Sequence, residues 1–299
     1  MNPLFSYFIP MVSLAIVFNI PVLILVLKKK LFTFPFGVLV AAILGIFFFI
    51  INPFFWLALL FFSLSSSLLT RIKTSEKTKV ILDFEKGSPQ RDTNQVLANG
   101  FVPALFVIGY ALLKLIPSLT ETGNVITDPF DPFLIAVFTS FAVHNADTWA
   151  TEIGILSSRT PRMIVQPANK VTPGTSGGIT IDGLIASLLG SAFLALLYFI
   201  LYLVNVFPNI NDNRFLITII TIIVAGFLGS VIDSIEGATI QGIYYCTNCQ
   251  KETESNPHPR CGSNTRLHRG NQYITNDFVN LTSALIVSFL VFLFIIIIF

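Results

Sequence analysis

The feature that most constrains this chain is a series of apolar segments long enough to cross a lipid bilayer. A transmembrane helix needs roughly 20 consecutive apolar residues. Of the 299 residues, 54% are hydrophobic and only 11% are charged, whereas a soluble domain carries about 25% charged residues. The sequence therefore predicts an all-α, polytopic membrane protein with about eight transmembrane helices. We predict these spans at 4–27, 31–51, 53–70, 96–117, 132–154, 179–204, 215–240 and 277–299.

The basic residues are distributed unequally between the connections that join these spans. Every Lys and Arg except Lys114 and Arg214 lies in the connections around 28–30, 71–95, 155–178 and 241–276, which share one side. The positive-inside rule then predicts that this side is cytoplasmic and that both termini are outside. A net charge of +2 is too small to indicate a nucleic-acid partner.

The spacing of the spans also predicts a division of the chain. The first three spans are joined by very short connections and form an N-terminal three-helix membrane segment, 1–70. The remainder, 71–299, is predicted to be a catalytic membrane domain that includes a small cytoplasmic Cys/His loop at 241–276. The polar residues that favour chemistry lie in the cytoplasmic connections, so we expect the active site at the cytoplasmic face.

Two carboxylates stand where the fifth span stops being apolar. Asp147 and Glu152 are five positions apart, which places them about 140° apart on a regular helix. Either one is a metal ligand and the other supports it, or the helix breaks between them. A charge at membrane depth costs at least about 2.5 kcal/mol, so such residues usually mark a functional site. The alternative is a solvated helix end.

A glycine-rich turn precedes the sixth span and runs directly into it. Glycines let the backbone approach an anion closely, and the N–H groups at the start of a helix attract phosphate. The turn is not a Walker loop, because its lysine precedes the glycines; the alternative is a flexible Gly/Ser turn. The predicted phosphate-binding residues are Lys170, Gly174, Thr175, Ser176, Gly177 and Gly178.

Four aspartates occur at the cytoplasmic ends of four different spans. Without an equal number of lysines at that depth, their charges require cations, and hard oxygen ligands suit Mg²⁺. Capping of the last helix is an alternative role for Asp277. A proton-coupled transporter uses similar carboxylates but has no need of a phosphate-binding turn. The predicted Mg²⁺ ligands are Asp147, Asp182, Asp233 and Asp277.

Polar residues also lead into the fourth span. The guanidinium of Arg91 is suited to bind phosphate oxygens, and we predict that it is a catalytic residue together with Asp147, Glu152 and Asp233. Gln95 and Asn99 are four positions apart and share a helix face, so we predict that they bind nucleotide or phosphate. Bridging between helices is the alternative role for these two amides.

The three cysteines of the chain lie close together, at Cys246, Cys249 and Cys261. With His258 they supply three thiolates and one imidazole, a set typical of a structural Zn²⁺ site. His268 is a second candidate for the fourth ligand. The alternative is a free or redox-active thiol cluster. We predict a zinc site that holds the long 241–276 loop in place and has no catalytic role.

A set of motifs occurs in a fixed order along the chain. These are Arg91…Gln95-Val96-Leu97-Ala98-Asn99-Gly100, Asp147-Thr148-Trp149-Ala150-Thr151-Glu152-Ile153-Gly154, Pro173-Gly174-Thr175-Ser176-Gly177-Gly178, Gly229-Ser230…Asp233-Ser234…Gly237-Ala238 and Asn276-Asp277…Asn280. The set resembles the integral-membrane family of plant phytyl-phosphate kinase and its uncharacterised relatives in archaea, bacteria and animals. The resemblance covers most of the chain from about Lys86 onward. One departure is Thr151, where the family pattern has serine.

The resemblance implies phosphorylation of an isoprenoid monophosphate, such as phytyl, geranylgeranyl or polyprenyl phosphate, to its diphosphate. The donor it implies is CTP or another nucleoside triphosphate, with Mg²⁺ as cofactor. More remotely, the family is similar to cytidylyltransferases of lipid synthesis, so a lipid-phosphate cytidylyltransferase is one alternative. A carboxylate-lined ion or lipid-phosphate transporter is the other. The Cys/His loop is expected in only part of the family and does not bear on the choice.

Overall fold

The computed structural model describes residues 3–73, 77, 92–121, 128–204 and 213–299. Within these residues the chain is mainly helical, and the long helices correspond to the predicted apolar segments. The helices are α1 (Pro3–Lys29), α2 (Phe36–Ile51), α3 (Pro53–Arg71), α4 (Thr93–Tyr110), α5 (Ile116–Glu121), α6 (Pro132–Gly154), α7 (Ile181–Leu203), α8 (Arg214–Thr239) and α9 (Asn276–Ile298). A π-helical turn, Ala111–Leu115, joins α4 to α5 without a break.

The prediction of a multi-pass helical membrane protein is confirmed. By length and composition, six helical segments of the described chain qualify as membrane spans: α1, α3, α4 with its continuation, α7, α8 and α9. Of the other two predicted spans, α2 has only 16 residues because the chain turns before it, up to Pro35. The second, α6, ends in a polar stretch that lowers its hydropathy.

Helix α6 is the centre of the bundle. It packs against α3, α4, α7, α8 and α9, and every residue from Leu134 to Ala146 is buried. A helix that is apolar on all sides is stable only when other helices surround it. The hydrophobic core around α6 extends from Ala15 to Ile295, so it runs without interruption across the boundary predicted at residue 70.

A buried amide fixes α6 against two of its neighbours. The hydroxyls of Ser65 and Ser66 in α3 donate to Asn145 Oδ1 at 2.7 and 3.2 Å. Asn145 Nδ2 donates to the carbonyl of Gly190 in α7 at 2.8 Å. A Cβ at Gly190 would lie 3.0 Å from the carbonyl oxygen of Asn145, so glycine permits this close approach. The three bonds hold α3, α6 and α7 together.

Two small antiparallel sheets lie in the connections after α6 and α8. The first consists of β1 (Arg162–Met163), β2 (Gln166–Lys170) and β3 (Gly178–Ile179), in the order β2-β1-β3. The second consists of β4 (Ile243–Cys246), β5 (Lys251–Thr253) and β6 (Arg266–Arg269), in the order β5-β4-β6. The sequence pattern predicts no strands here, because each strand has only two to five residues.

The connections predicted to share one side meet at one end of the bundle. The guanidinium of Arg71, at the end of α3, donates to the carbonyl of Lys29, at the end of α1. Arg269 in the second sheet donates to the carbonyl of Ser176 in the first connection at 2.8 Å. At the opposite end, Arg214 lies over the ring of Phe130, 4.4 Å from its centroid.

We predict that Asn145→Ala lowers the free energy of unfolding by roughly 1–3 kcal/mol, because it removes three hydrogen bonds between helices and leaves buried hydroxyls without their acceptor. The measurement is the thermal unfolding midpoint of the detergent-solubilised protein. Asn94→Ala changes an exposed asparagine of α4 and is the matched control. Equal midpoints for the two variants would contradict this role of Asn145.

Candidate functional site

A polar cavity of about 240 Å³ lies at the end of the bundle where the two sheets are found. Residues of α3, α4, α6, α7, α8 and α9 line it together with both connections. Its charged lining residues are Asp147, Glu152, Asp233 and Glu254. Among the described residues that line it, none is Lys, Arg or His. The cavity wall is therefore strongly acidic.

Asp147 and Asp233 enter this cavity from two different helices, α6 and α8. They are close enough for their charges to interact, and Asp233 is only 8% exposed. The hydroxyl of Ser283 donates to Asp233 Oδ2 at 3.3 Å. In the part of the chain that the structure describes, neither aspartate forms an ion pair with Lys or Arg. Two such carboxylates repel each other unless a cation or a proton lies between them.

The donor set around this pair fits Mg²⁺. Besides the two carboxylates, the hydroxyls of Ser230 and Ser234 and the amides of Asn276 and Asn280 line the cavity. These are hard oxygen donors of the kind that Mg²⁺ selects, and the cavity is large enough to leave water or phosphate oxygens on the ion. Asp147 and Asp233 are the residues that would hold it.

Glu152 lines the same cavity but is paired with a lysine side chain. Lys77 Nζ, which is 1% exposed, lies 2.5 Å from Glu152 Oε2, and Thr70 Oγ1 donates to Glu152 Oε1 at 2.5 Å. Helix α6 does not break before Glu152, since it continues to Gly154. Of the two arrangements left open by the sequence, the structure thus excludes the second, a break in the helix between Asp147 and Glu152. Asp147 and Glu152 line the same cavity because the cavity surrounds the end of α6.

The glycine-rich turn is docked on the end of α8. Gly177 has a φ of +78°, and a Cβ there would lie 2.4 Å from that of Ala238. Only glycine satisfies both the positive φ and the close approach. Arg269 Nη1 donates to the carbonyl of Gly237 at 2.8 Å, while Nη2 donates to that of Ser176 at 2.8 Å. The turn is therefore fixed beside the helix that carries Asp233.

The structure corrects the predicted relation between this turn and the helix that follows. Strand β3 and Thr180 separate the glycines from α7, and Thr180 Oγ1 caps that helix by accepting from the N–H of Gly183 at 3.0 Å. The N–H groups of Thr175 and Gly178 are used for hydrogen bonds within the turn. Residues Gly174 to Gly178 line the cavity, but as a turn between strands and not as a helix N-terminus.

Lys170, predicted to bind phosphate, does not line the cavity. It lies at the end of β2, where every residue is exposed. The physical reason is the antiparallel pairing of β2 with β1, in which Lys170 is opposite Arg162. This pairing holds the backbone of β2 in the small sheet, away from the cavity wall.

Two of the four predicted Mg²⁺ ligands do not join the cluster. Asp182 accepts a hydrogen bond from Ser157 Oγ at 2.5 Å and lies 3.7 Å from Arg159 Nε. It is not among the cavity-lining residues. Asp277 is also absent from the lining, although Asn276 and Asn280 belong to it. On a regular helix Asp277 points about 100° away from Asn276 and about 60° away from Asn280.

The predicted amides of α4 both line the cavity. Gln95 also takes part in a capping box: its Oε1 accepts from the N–H of Asp92 at 3.3 Å, while Asp92 Oδ1 accepts from the N–H of Gln95 at 2.9 Å. Asn99 lies one turn further into the membrane helix. Arg91, predicted to be catalytic and to bind phosphate oxygens, lies outside the described residues.

Glu254 is a cavity residue that the sequence analysis missed. It follows β5 directly, and the hydroxyl of Ser176 donates to its carboxylate. Burial raises the pKa of Glu254 above its ordinary value, although the hydrogen bond from Ser176 and the charge of Arg269 oppose this shift. The Cys/His loop was interpreted as a purely structural element. No local motif marks Glu254, because its position depends on contacts between distant connections.

The Cys/His loop brings four residues together in a compact cluster that could hold a metal ion. The ligand atoms of Cys246, Cys249, His258 and Cys261 all lie within 4.8 Å of one another. Cys261 Sγ is 3.6 Å from Cys246 Sγ and 3.3 Å from His258 Nδ1. Three thiols and one imidazole at these separations fit tetrahedral Zn²⁺.

The two halves of this cluster share a local feature of the backbone. In each half the two ligands are three positions apart and are followed by a residue with positive φ, Gln250 at 54° and Gly262 at 68°. His268, the second candidate ligand, is directed elsewhere: its Nε2 lies 3.5 Å from Glu252 Oε1. The geometry therefore selects His258 as the fourth ligand.

Comparison with known proteins agrees with the resemblance seen in the ordered motifs. The family model described as "Integral membrane protein DUF92" matches residues 17–288. Protein PGR of Arabidopsis thaliana is 32% identical over 241 residues, which cover 78% of this chain and 78% of that protein. The uncharacterized membrane protein MJ0933 of Methanocaldococcus jannaschii is 32% identical over 182 residues, which cover 60% of this chain and 68% of that protein. No solved structure matches the chain.

We predict that the purified protein contains about one Zn²⁺ per chain and that Cys261→Ser removes most of it, because the tetrahedral set loses a thiolate. Elemental analysis by mass spectrometry measures the metal. His268→Ala and Thr247→Ser change neighbouring residues outside the cluster and should keep the full metal content. Zinc that survives Cys261→Ser but is lost in His268→Ala would overturn the assigned ligand set.

Proposed function

This chain belongs to the DUF92 family of integral membrane proteins, and we propose that it is a prenyl-phosphate kinase. In this proposal it transfers the γ-phosphoryl group of CTP, or of another nucleoside triphosphate, to an isoprenoid monophosphate and so forms the diphosphate. The observation that carries the proposal is the meeting of Asp147 and Asp233, from separate helices, with the glycine turn in one cavity.

The electrostatics of the cavity favour a reaction of phosphates with a divalent cation. Phosphates do not bind beside several carboxylates unless cations neutralise the negative charges of the phosphates and of the carboxylates. Glu152 is neutralised by Lys77, and Glu254 lies near Arg269, so the charge that remains is that of Asp147 and Asp233. Mg²⁺ bound by these two residues would neutralise charge on the transferring phosphoryl group.

The chemistry of the acceptor explains the composition of the site. An oxygen of the acceptor monophosphate forms a bond to the γ-phosphorus, and the bond from that phosphorus to the bridging oxygen of the donor breaks. The products are a nucleoside diphosphate and a prenyl diphosphate. The attacking oxygen is already anionic, so no general base has to remove a proton. The proposed reaction therefore requires the cavity to bind a cation and align the reactants, for which its described lining supplies carboxylates, hydroxyls and amides.

The chain's own residues bind and align the two reactants. The turn Gly174–Gly178 offers backbone N–H groups and the hydroxyl of Ser176 to the nucleotide phosphates. When the nucleotide binds, this hydroxyl donates its hydrogen bond to a phosphate oxygen instead of to Glu254. Asn99 and Gln95 contact the acceptor phosphate from α4, and we propose that Arg91, which precedes α4 in the sequence, binds the same phosphate. Such alignment supplies most of the rate enhancement in phosphoryl transfer.

We further propose that the cavity faces the cytoplasm and that both termini lie outside. The connections that surround the cavity carry nearly all basic residues of the chain, and such connections remain on the cytoplasmic side. Zn²⁺ in the Cys/His cluster would have a structural role in this arrangement. It would hold the connection that brings Glu254 and Arg269 to the glycine turn.

The test is Asp147→Asn and Asp233→Asn in purified protein with Mg²⁺, γ-labelled CTP and a panel of prenyl monophosphates. Each variant should lose at least about 100-fold in turnover, because it removes charge that binds the cation. Asp182→Asn, whose carboxylate lies outside the cavity lining, is the matched control and should stay within about threefold of the wild type. The readout is label in the prenyl diphosphate.

Three outcomes would reject the proposal. Undiminished turnover in correctly inserted Asp147→Asn would remove this residue from the site. Release of pyrophosphate with formation of a CDP-lipid would identify a cytidylyltransferase. Flux of lipid phosphate in sealed vesicles without nucleotide consumption would identify a transporter.

A further inference from the structure

A second cavity adjoins the polar one inside the membrane-embedded part of the bundle. It has a volume of about 70 Å³ and lies between α1, α2, α3 and α4. Its lining is almost entirely apolar and includes Val26, Phe32, Leu44 and Leu60. Asn99 lines both cavities. An anionic group in the polar cavity and an apolar chain in the second one would therefore meet at this amide.

The polar atoms in the lining of the second cavity do not favour a polar ligand. The indole N–H of Trp56 donates to Asn19 Oδ1 at 3.1 Å, and Asn19 Nδ2 donates to the carbonyl of Ala15 at 2.8 Å. These groups satisfy one another. Leu25 of α1 also lines the cavity and is 38% exposed. This lining side chain is therefore accessible.

We propose that this cavity, here named the tail pocket, binds the carbon atoms nearest the phosphate in the first five-carbon unit of an isoprenoid monophosphate. The identity of the headgroup rests on the proposed function. The phosphate lies in the polar cavity, the carbons next to it enter the tail pocket past Asn99, and the remaining tail leaves past Leu25 along α1 into the bilayer.

The size of the tail pocket determines what it recognises. An apolar cavity of about 150 Å³ holds a benzene molecule, so one of about 70 Å³ has room for roughly three carbon atoms. The tail pocket therefore recognises the branched carbons nearest the phosphate and not the length of the tail. The protein should accept prenyl monophosphates of different lengths and should reject those with extra bulk in the first unit.

The first test fills the pocket from α2. Ala41 lines the tail pocket, whereas its neighbour Ala42 does not, so Ala41→Phe and Ala42→Phe form a matched pair. Ala41→Phe should raise the KM for the prenyl monophosphate at least about 10-fold and leave the KM for CTP within about twofold, since only apolar contact with the acceptor is lost. An acceptor KM equal to that of Ala42→Phe would overturn the proposal.

The second test needs neither turnover nor a variant. Wild-type protein is irradiated with a prenyl monophosphate that carries a diazirine in its first five-carbon unit, without nucleotide, and the adducts are mapped by mass spectrometry. Adducts on lining residues of α1 to α4 support the tail pocket, even if no nucleotide serves as phosphoryl donor and the kinase proposal fails. Adducts elsewhere overturn the tail pocket, even if the protein proves to be a kinase.

Discussion

The structure depends on one constraint: helix α6 is enclosed by five other helices, yet its last turns are polar. A buried polar group is tolerated only where a partner satisfies it. Asn145 meets this requirement through hydroxyls of α3 and a carbonyl of α7, and Glu152 through Lys77 and Thr70. Asp147 lies between these two satisfied residues and faces the cavity. The contacts that hold the bundle together thus also determine where its uncompensated charge is found.

The partners of the four cavity carboxylates distinguish the residues with a supporting role from the candidate metal ligands. Glu152 and Glu254 each have partners in the described chain, whereas Asp147 and Asp233 share a cavity without a basic side chain in its described lining. A pair of this kind gains most from a bound cation. We therefore propose the two aspartates as the metal ligands. The two glutamates belong to the walls that hold the glycine turn and the end of α6.

Arg269 links the two connections above the cavity. It binds carbonyl groups of Ser176, Gly237 and Ala238, and thereby joins the glycine turn, the end of α8 and the sheet of the Cys/His loop. Below this polar layer, Asn99 separates the polar cavity from the apolar tail pocket. An amphipathic substrate fits such a boundary, because its charged and apolar parts need opposite surroundings. A site for it has to lie at the membrane interface.

The sequence alone predicts the helical membrane architecture, the position of Asp147 and Asp233 at the ends of apolar segments, and the composition of the Cys/His cluster, because length, hydropathy and short ligand spacing are local properties. The tertiary contacts show in addition that Glu254 lies in the cavity while Asp182 and Lys170 lie outside it. They also pair Glu152 with Lys77, 75 positions away in the chain. The direction of a side chain around a helix, and the docking of one connection on another, result from long-range packing that no local pattern encodes.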